Sequence, residues 1–348
     1  ANPSSIHQMG QKSHNLIEKS RKKISALLKC SPFEIIFTSG GTESNNFALQ
    51  GLLEKNDHLI TTSYEHPSIL NVAKELEKKG IEVTYLKPNG DGTICPDTLE
   101  SSIRKNTKLV SIMYLNNELG TINPINALGK ICSENNILFH TDAVQYIGKG
   151  KVDFENANID LLSLGAHKFY GPKGIGALII KKGLKLDPCI FGGGQENGYR
   201  PGTESTPLIA GMTKALEISL ENFDVNNKQI IEMEELFFDL LKSKKINYSL
   251  NGSPRLNGFI NITFHDIDGQ VLLMNLDMNG FAISFGSACS SGSTKAAHAV
   301  LEIGIDEKNA KNTVRISIGK FINKQNIIAL VDTINNIINE KMKVKKYV

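Results

Sequence analysis

The feature that most constrains this chain is a repeated exchange of short β-type apolar runs with helical stretches over its first two-thirds. The runs fall at 34–39 (EIIFTS), 58–63 (HLITTS), 82–86 (EVTYL), 108–115 (KLVSIMYL), 137–142 (ILFHTD), 160–164 (DLLSL) and 176–181 (GALIIK). Between two of them, 67–79 opens on Pro67, stops at Gly80 and gathers Ile69, Val72, Ala73 and Leu76 on one face, as a helix does. Such alternation argues for a mostly parallel sheet with helices on both sides. From about Pro207 the pattern changes. A long helical region runs toward Lys245, interrupted near 222–227, and shorter strands follow at 259–264, 281–284 and 314–318. This reads as an α/β domain over 1–222 and a smaller α+β domain over 223–348.

The chain has 348 residues, 40% of them hydrophobic, enough for a large core or two packed domains. A net charge of +3 is too small a field to hold a nucleic acid by itself, and the basic run KMKVKKYV at the C-terminus reads as a solvated tail. No stretch has the apolar length of a membrane span and no signal peptide opens the sequence, so neither membrane nor nucleic acid is expected as a partner. The chain enters directly at ANPSSIHQMG, and an upstream piece is expected. Cys30, Cys95, Cys132, Cys189 and Cys289 are scattered and form no CxxC pair, which argues against a disulfide framework or a zinc site and for a reducing cytosol. No metal is expected.

In open α/β sheets ligands sit beyond the C-terminal ends of the strands. There the first run leads into Ser39-Gly40-Gly41-Thr42-Glu43 and a helix. Glycines and free helix N–H groups suit a phosphate, although an ordinary turn capped by Thr42 fits equally. The second leads to His66 before a helix, usually a capping or surface residue. The run at 108–115 leads to Asn116 and Asn117, usually a turn. The run at 137–142 ends on Asp142, with Gln145 three residues on. In a central strand that carboxylate is buried and requires a cation or several donors, one candidate being a protonated pyridine nitrogen. Lys168 follows the next run among Leu164, Ala166 and Phe169, where desolvation would lower its pKa; an isolated lysine more simply snorkels to solvent.

Taken in order, a phosphate turn, a His, an Asn, an Asp–Gln pair and a Lys at successive strand ends resemble the fold-type-I pyridoxal-phosphate enzymes of the class V aminotransferase group. The segment SFGSACSSGS around Cys289 resembles the SSGSACTS loop of the NifS/IscS-like cysteine desulfurases. The resemblance spans nearly the whole chain. It implies a mostly parallel seven-stranded sheet in the large domain, a small domain carrying the cysteine loop, and removal of sulfur from L-cysteine to give L-alanine and a persulfide on Cys289. The supplied sulfur would serve iron–sulfur cluster or other sulfur-containing biosynthesis.

By the same resemblance Lys168 carries the cofactor as a Schiff base, Asp142 keeps the pyridine nitrogen protonated, Gln145 bonds the ring hydroxyl and His66 stacks on the ring and transfers protons. Gly41, Thr42 and His167 hold the phosphate. Thr203 reaches it from a neighbouring subunit, which implies a homodimer. Asn117 and Arg315 bind the substrate carboxylate, where the planar fork of Arg suits two-point contact; taken alone, Arg315 reads as a surface ion pair on an edge strand. His66 or, from proximity in sequence alone, His298 would assist the Cys289 thiol. A scaffold protein for iron–sulfur assembly is the expected sulfur acceptor.

Three departures accompany the match. Gly165 stands where a Ser or Thr commonly adds a phosphate contact, and Phe285 where a small residue is usual. The DNxATT-like segment that ordinarily precedes NPSSIH is not in this sequence. Selenocysteine lyase, another class V reaction, and a non-catalytic relative in sulfur assembly are the alternatives. The other four cysteines fall in helix or strand patterns and are expected to be packed.

Overall fold

The computed structural model describes residues 1–286 and 298–345, with side chains described as far as 341. The chain divides into two compact units. One comprises Ala1–Leu86, Ile94–Leu115 and Asn123–Phe223; the other comprises Lys87–Thr93, Asn116–Ile122 and the chain from Asp224 onward.

All seven expected strands form in the first unit: β1 (Ile35–Thr38), β2 (His58–Thr62), β3 (Glu82–Leu86), β4 (Thr107–Ser111), β5 (Leu138–Asp142), β6 (Leu161–Gly165) and β7 (Gly176–Ile180). They lie in the order β1-β7-β6-β5-β4-β2-β3, so β5 is the central strand. Pairings from β3 through to β6 are parallel, and β7 runs antiparallel to both β6 and β1. Strands β6 and β7 are almost wholly apolar, and β4, though it carries Thr107, Lys108 and Ser111, is largely buried, because helices cover both faces of such a sheet. After α1 (Gln8–Leu28), the helices α2 (Gly41–Gln50) and α3 (Pro67–Lys78) bury Phe47, Leu49, Ile69 and Leu76 against Leu59, Leu109, Leu161 and Leu178.

Two buried histidines tie the strands together. His140 in β5 places Nδ1 2.8 Å from Ser111 Oγ of β4 and Nε2 3.0 Å from Ser163 Oγ of β6. His58 in β2 does the same between Thr107 of β4 and Thr84 of β3, at 2.8 Å on each side. Each ring has one donor and one acceptor position, and a hydroxyl on either side satisfies both whichever tautomer is present.

The second unit holds a fully antiparallel sheet in the order β10 (Ser284–Phe285), β11 (Thr313–Ser317), β9 (Phe259–Phe264), β8 (Tyr248–Leu250). Its core joins Phe237, Leu241, Ile260, Ile262, Phe264, Val314 and Ile316, with half-buried Phe285 packed against it. Strand β8 was not anticipated, since three residues carry too little pattern. The strand expected at 281–284 is displaced to Ser284–Phe285. The break in the long helical region is Asn222 alone, between the helices Thr206–Glu221 and Phe223–Ser243. The basic C-terminal run continues the last helix, Lys324–Lys345. Among the described residues no helix is long and apolar enough to cross a membrane.

Candidate active site

Asp142 closes the central strand. It is 7% exposed, and its carboxyl accepts from Asn45 Nδ2 at 2.7 Å and from the Val144 amide at 2.9 Å. Burial pushes its pKa up, while Asn45, the Val144 amide and the positive fields of His66 and Lys168 pull the other way. A buried carboxyl in that balance is completed by a cation.

Lys168 sits half-buried in the short helical turn Ala166–Phe169 that follows β6, the neighbour of β5. Leu164, Ala166 and Phe169 around it are buried, as expected. His167 beside it is exposed, and its pKa is lowered by partial burial and by Lys168, Lys173 and Lys149.

His66 is the N-cap of α3. Pro67 occupies the first helical position and has no N–H, so the Ser68 amide is the first in need of a partner, and it donates to His66 Nδ1 at 3.1 Å. The capping expected of this residue is therefore present. Burial lowers the His66 pKa; Asp142 opposes this and Lys168 adds to it. A cleft of about 560 Å³ opens here, lined by Thr42, Asn46, His66, Ser68 and Asn71.

The turn from β1 into α2 has the character of an anion site. Gly40 is the N-cap at φ 154° and no side chain caps the helix. A Cβ on Gly40 would meet nothing within 4 Å, whereas one on Gly41 would lie 2.4 Å from the Val144 methyl, so Gly41 fits only without a side chain. The first-turn N–H groups of Gly41 and Thr42 thus stand at an uncapped, positive helix end. A Cβ on Gly165 would lie 3.5 Å from the Gly41 nitrogen and 3.6 Å from His167 Cε1, which puts Gly41, Gly165 and His167 around one space.

Gln145 is half-buried and takes the Lys149 ammonium on its backbone carbonyl and its Oε1. Thr203 is exposed and lines a cavity of about 210 Å³ with Thr38, Ser39 and Arg200; Arg200 binds Glu43 of α2 at 2.8 Å.

In the second unit, Arg315 donates to the Asn117 backbone carbonyl and to Ser284 Oγ at 3.0 Å. The two expected carboxylate-binding residues are therefore adjacent. Strand β11 lies between β10 and β9, so the edge-strand reading of Arg315 is overturned. Asn116 makes the expected turn by accepting from the Glu118 and Leu119 amides. His298 opens the helix His298–Glu302, 3.8 Å from Glu302. Cys289 lies outside the described residues.

The expectation that the other cysteines are packed holds for Cys132 alone. Cys189 is exposed and outside any helix or strand, while Cys30 and Cys95 are half-buried beside helix ends. Burial still raises all the shifted thiols, Cys30 and Cys132 to about 12, so neither is a ready thiolate.

The sequence reading missed Asn45, Ser68 and Glu65. Glu65 is fully buried; its Oε1 accepts from Thr62 and the Met113 amide, and its Oε2 has no partner. Burial and the nearby Asp142 hold its pKa near 8, opposed by those two donors, so it is a neutral acid at neutral pH.

The aminotransferase class V family model matches residues 1–347. Cysteine desulfurase IscS of Dictyoglomus turgidum is 42% identical over 99% of this chain and 89% of its own length. A solved NifS-like protein superposes with a TM-score of 0.91 at 33% identity, over 97% of this chain and 92% of that one. The structure titled SspA in complex with cysteine gives a TM-score of 0.82 at 40% identity, over 92% of this chain and 91% of that one. The chain belongs to the class V aminotransferase family. Within it the chain falls among the cysteine desulfurases, enzymes that work with pyridoxal phosphate, and the fold, enzyme class and cofactor expected from sequence are borne out. The site fits that cofactor: an uncapped helix end suits its phosphate, a buried carboxyl suits its ring nitrogen, and a half-buried lysine in the field of that carboxyl suits its aldehyde.

Proposed function

We propose that this cysteine desulfurase divides its work as follows. Gly41, Thr42 and His167 would hold the cofactor phosphate, Asp142 would hold a proton at the ring nitrogen, and Lys168 would bind the cofactor covalently. When bound, the cofactor supplies an electron sink next to the substrate α-carbon. Lys168 Nζ would move the α-proton of L-cysteine. Gln145 would bond the ring hydroxyl, and His66 would stack on the ring and transfer protons. Arg315 and Asn117 bind the substrate carboxylate.

The Cys289 thiolate then attacks the substrate sulfur. A new S–S bond forms as the substrate Cβ–S bond breaks, and after Cβ takes up a proton, alanine leaves and Cys289 carries a persulfide. The observation that carries this reading is Asp142, a buried carboxyl on the central strand, within the fields of Lys168 and His66. The raised pKa values of Cys30, Cys132 and Cys189 support Cys289 as the reactive thiol. Thr203, exposed in the single chain, fits contribution to the site of a second copy in a homodimer. A cytoplasmic enzyme that passes its sulfur to an iron–sulfur scaffold or another acceptor completes the proposal.

The Cys289→Ser variant tests it. L-cysteine should still shift the cofactor absorbance while alanine release falls to background. Turnover at the parent rate would remove Cys289 from the mechanism.

A further inference from the structure

Two residues outside the roles above join Asp142 to His66. Asn45 Nδ2 lies 2.7 Å from Asp142 Oδ2 and 2.8 Å from Ser68 Oγ. Ser68 Oγ in turn lies 2.7 Å from His66 Nδ1, the same atom that accepts the Ser68 amide at 3.1 Å.

The direction of each bond follows from chemistry. A carboxylate only accepts, so the amide nitrogen of Asn45, not its oxygen, must face Asp142. Its two hydrogens are then both used, one on Asp142 and one on Ser68. Having accepted, the Ser68 hydroxyl has a single proton, and it points to His66 Nδ1. That nitrogen therefore meets two donors and carries the lone pair, and the proton of the neutral ring sits on Nε2. Asn45 Oδ1 bears this out: the residue is 1% exposed and that oxygen has no partner. The amide keeps a buried acceptor unsatisfied rather than turn round, because turning would set oxygen against carboxylate.

We propose that Asn45 and Ser68 are positioning residues that fix His66 as its Nε2–H tautomer through the charge of Asp142. In the resting enzyme His66 then donates from Nε2 and accepts nothing there. It can deliver a proton to the reacting centre but cannot act as the base that strips the Cys289 thiol. This consequence rests on the role proposed for His66; the tautomer does not.

The test is 15N NMR of the histidine-labelled holoenzyme above the ring pKa, with the His66 signals identified by their loss in His66→Gln. The parent should show a protonated-type shift at Nε2 and a pyridine-type shift at Nδ1. Ser68→Ala keeps a good helix former in the first turn and removes one of the two donors. It should raise the Nδ1–H population about fivefold, the equivalent of ~1 kcal/mol for one neutral hydrogen bond. Ser68→Thr should restore the parent shifts. An Nδ1–H ring in the parent, or parent shifts in Ser68→Ala, would overturn the assignment. Parent turnover by His66→Gln would instead defeat the role proposed for His66 while leaving the shifts to decide the tautomer.

Discussion

The interior of the large sheet and its C-terminal rim bury polar groups to similar depth and treat them in opposite ways. His140 and Asp142 are two residues apart on β5, exposed 0% and 7%. His140 is satisfied on both nitrogens by hydroxyls of the flanking strands, and burial holds it neutral with a pKa near 3. Asp142 has neutral donors on both oxygens and still sits in the fields of Lys168 and His66. The first arrangement is closed and needs nothing further. The second leaves a carboxyl whose charged form burial disfavours and positive neighbours favour, and the proposed cofactor site rests on that difference.

Asp142→Asn should widen the contrast most. With no charge to hold a proton on the cofactor ring, alanine release should fall by at least about a hundredfold, while the melting temperature of the cofactor-free protein holds or rises, since a charge that burial disfavours is removed. A large loss of stability in that variant would mean that Asp142 is structural after all. His140→Ala should do the reverse. It strands the Ser111 and Ser163 hydroxyls and leaves a cavity, so it should cost about 2–4 kcal/mol in denaturant unfolding with kcat largely kept in the folded fraction. The smallest effect is expected at Gly165, whose φ of −139° and ψ of 125° suit any residue and whose Cβ would make only ordinary contacts. Gly165→Ser should slow cofactor loss on dialysis about fivefold, the worth of one hydrogen bond of ~1 kcal/mol. Unchanged loss would place the phosphate elsewhere.

The strands of the large sheet were legible because each is a short apolar run with helical punctuation on either side. The central place of Asp142 followed from the same alternation. Asn45 and Ser68 were not legible. Their bonds join α2 to α3 and α2 to β5, and the Asn45–Asp142 pair spans 97 residues of sequence. No local period reports such a meeting. Cys189 misled for the opposite reason: it follows an apolar strand closely, yet the chain has already left regular structure there. Strand β8 escaped because Tyr248–Leu250 is too short to alternate and owes its pairing to β9.

The two histidine straps also couple folding to protons. His58 and His140 are lowered by burial, and the unfolded chain returns both to an ordinary pKa near 6.5. Unfolding then takes up protons that the native state refuses. The stabilisation is whole above about pH 6.5 and drains away as pH falls toward 3, on the order of 4–5 kcal/mol for His140 alone. The clasp that holds the central strand in register at neutral pH is thus where acid would open this protein.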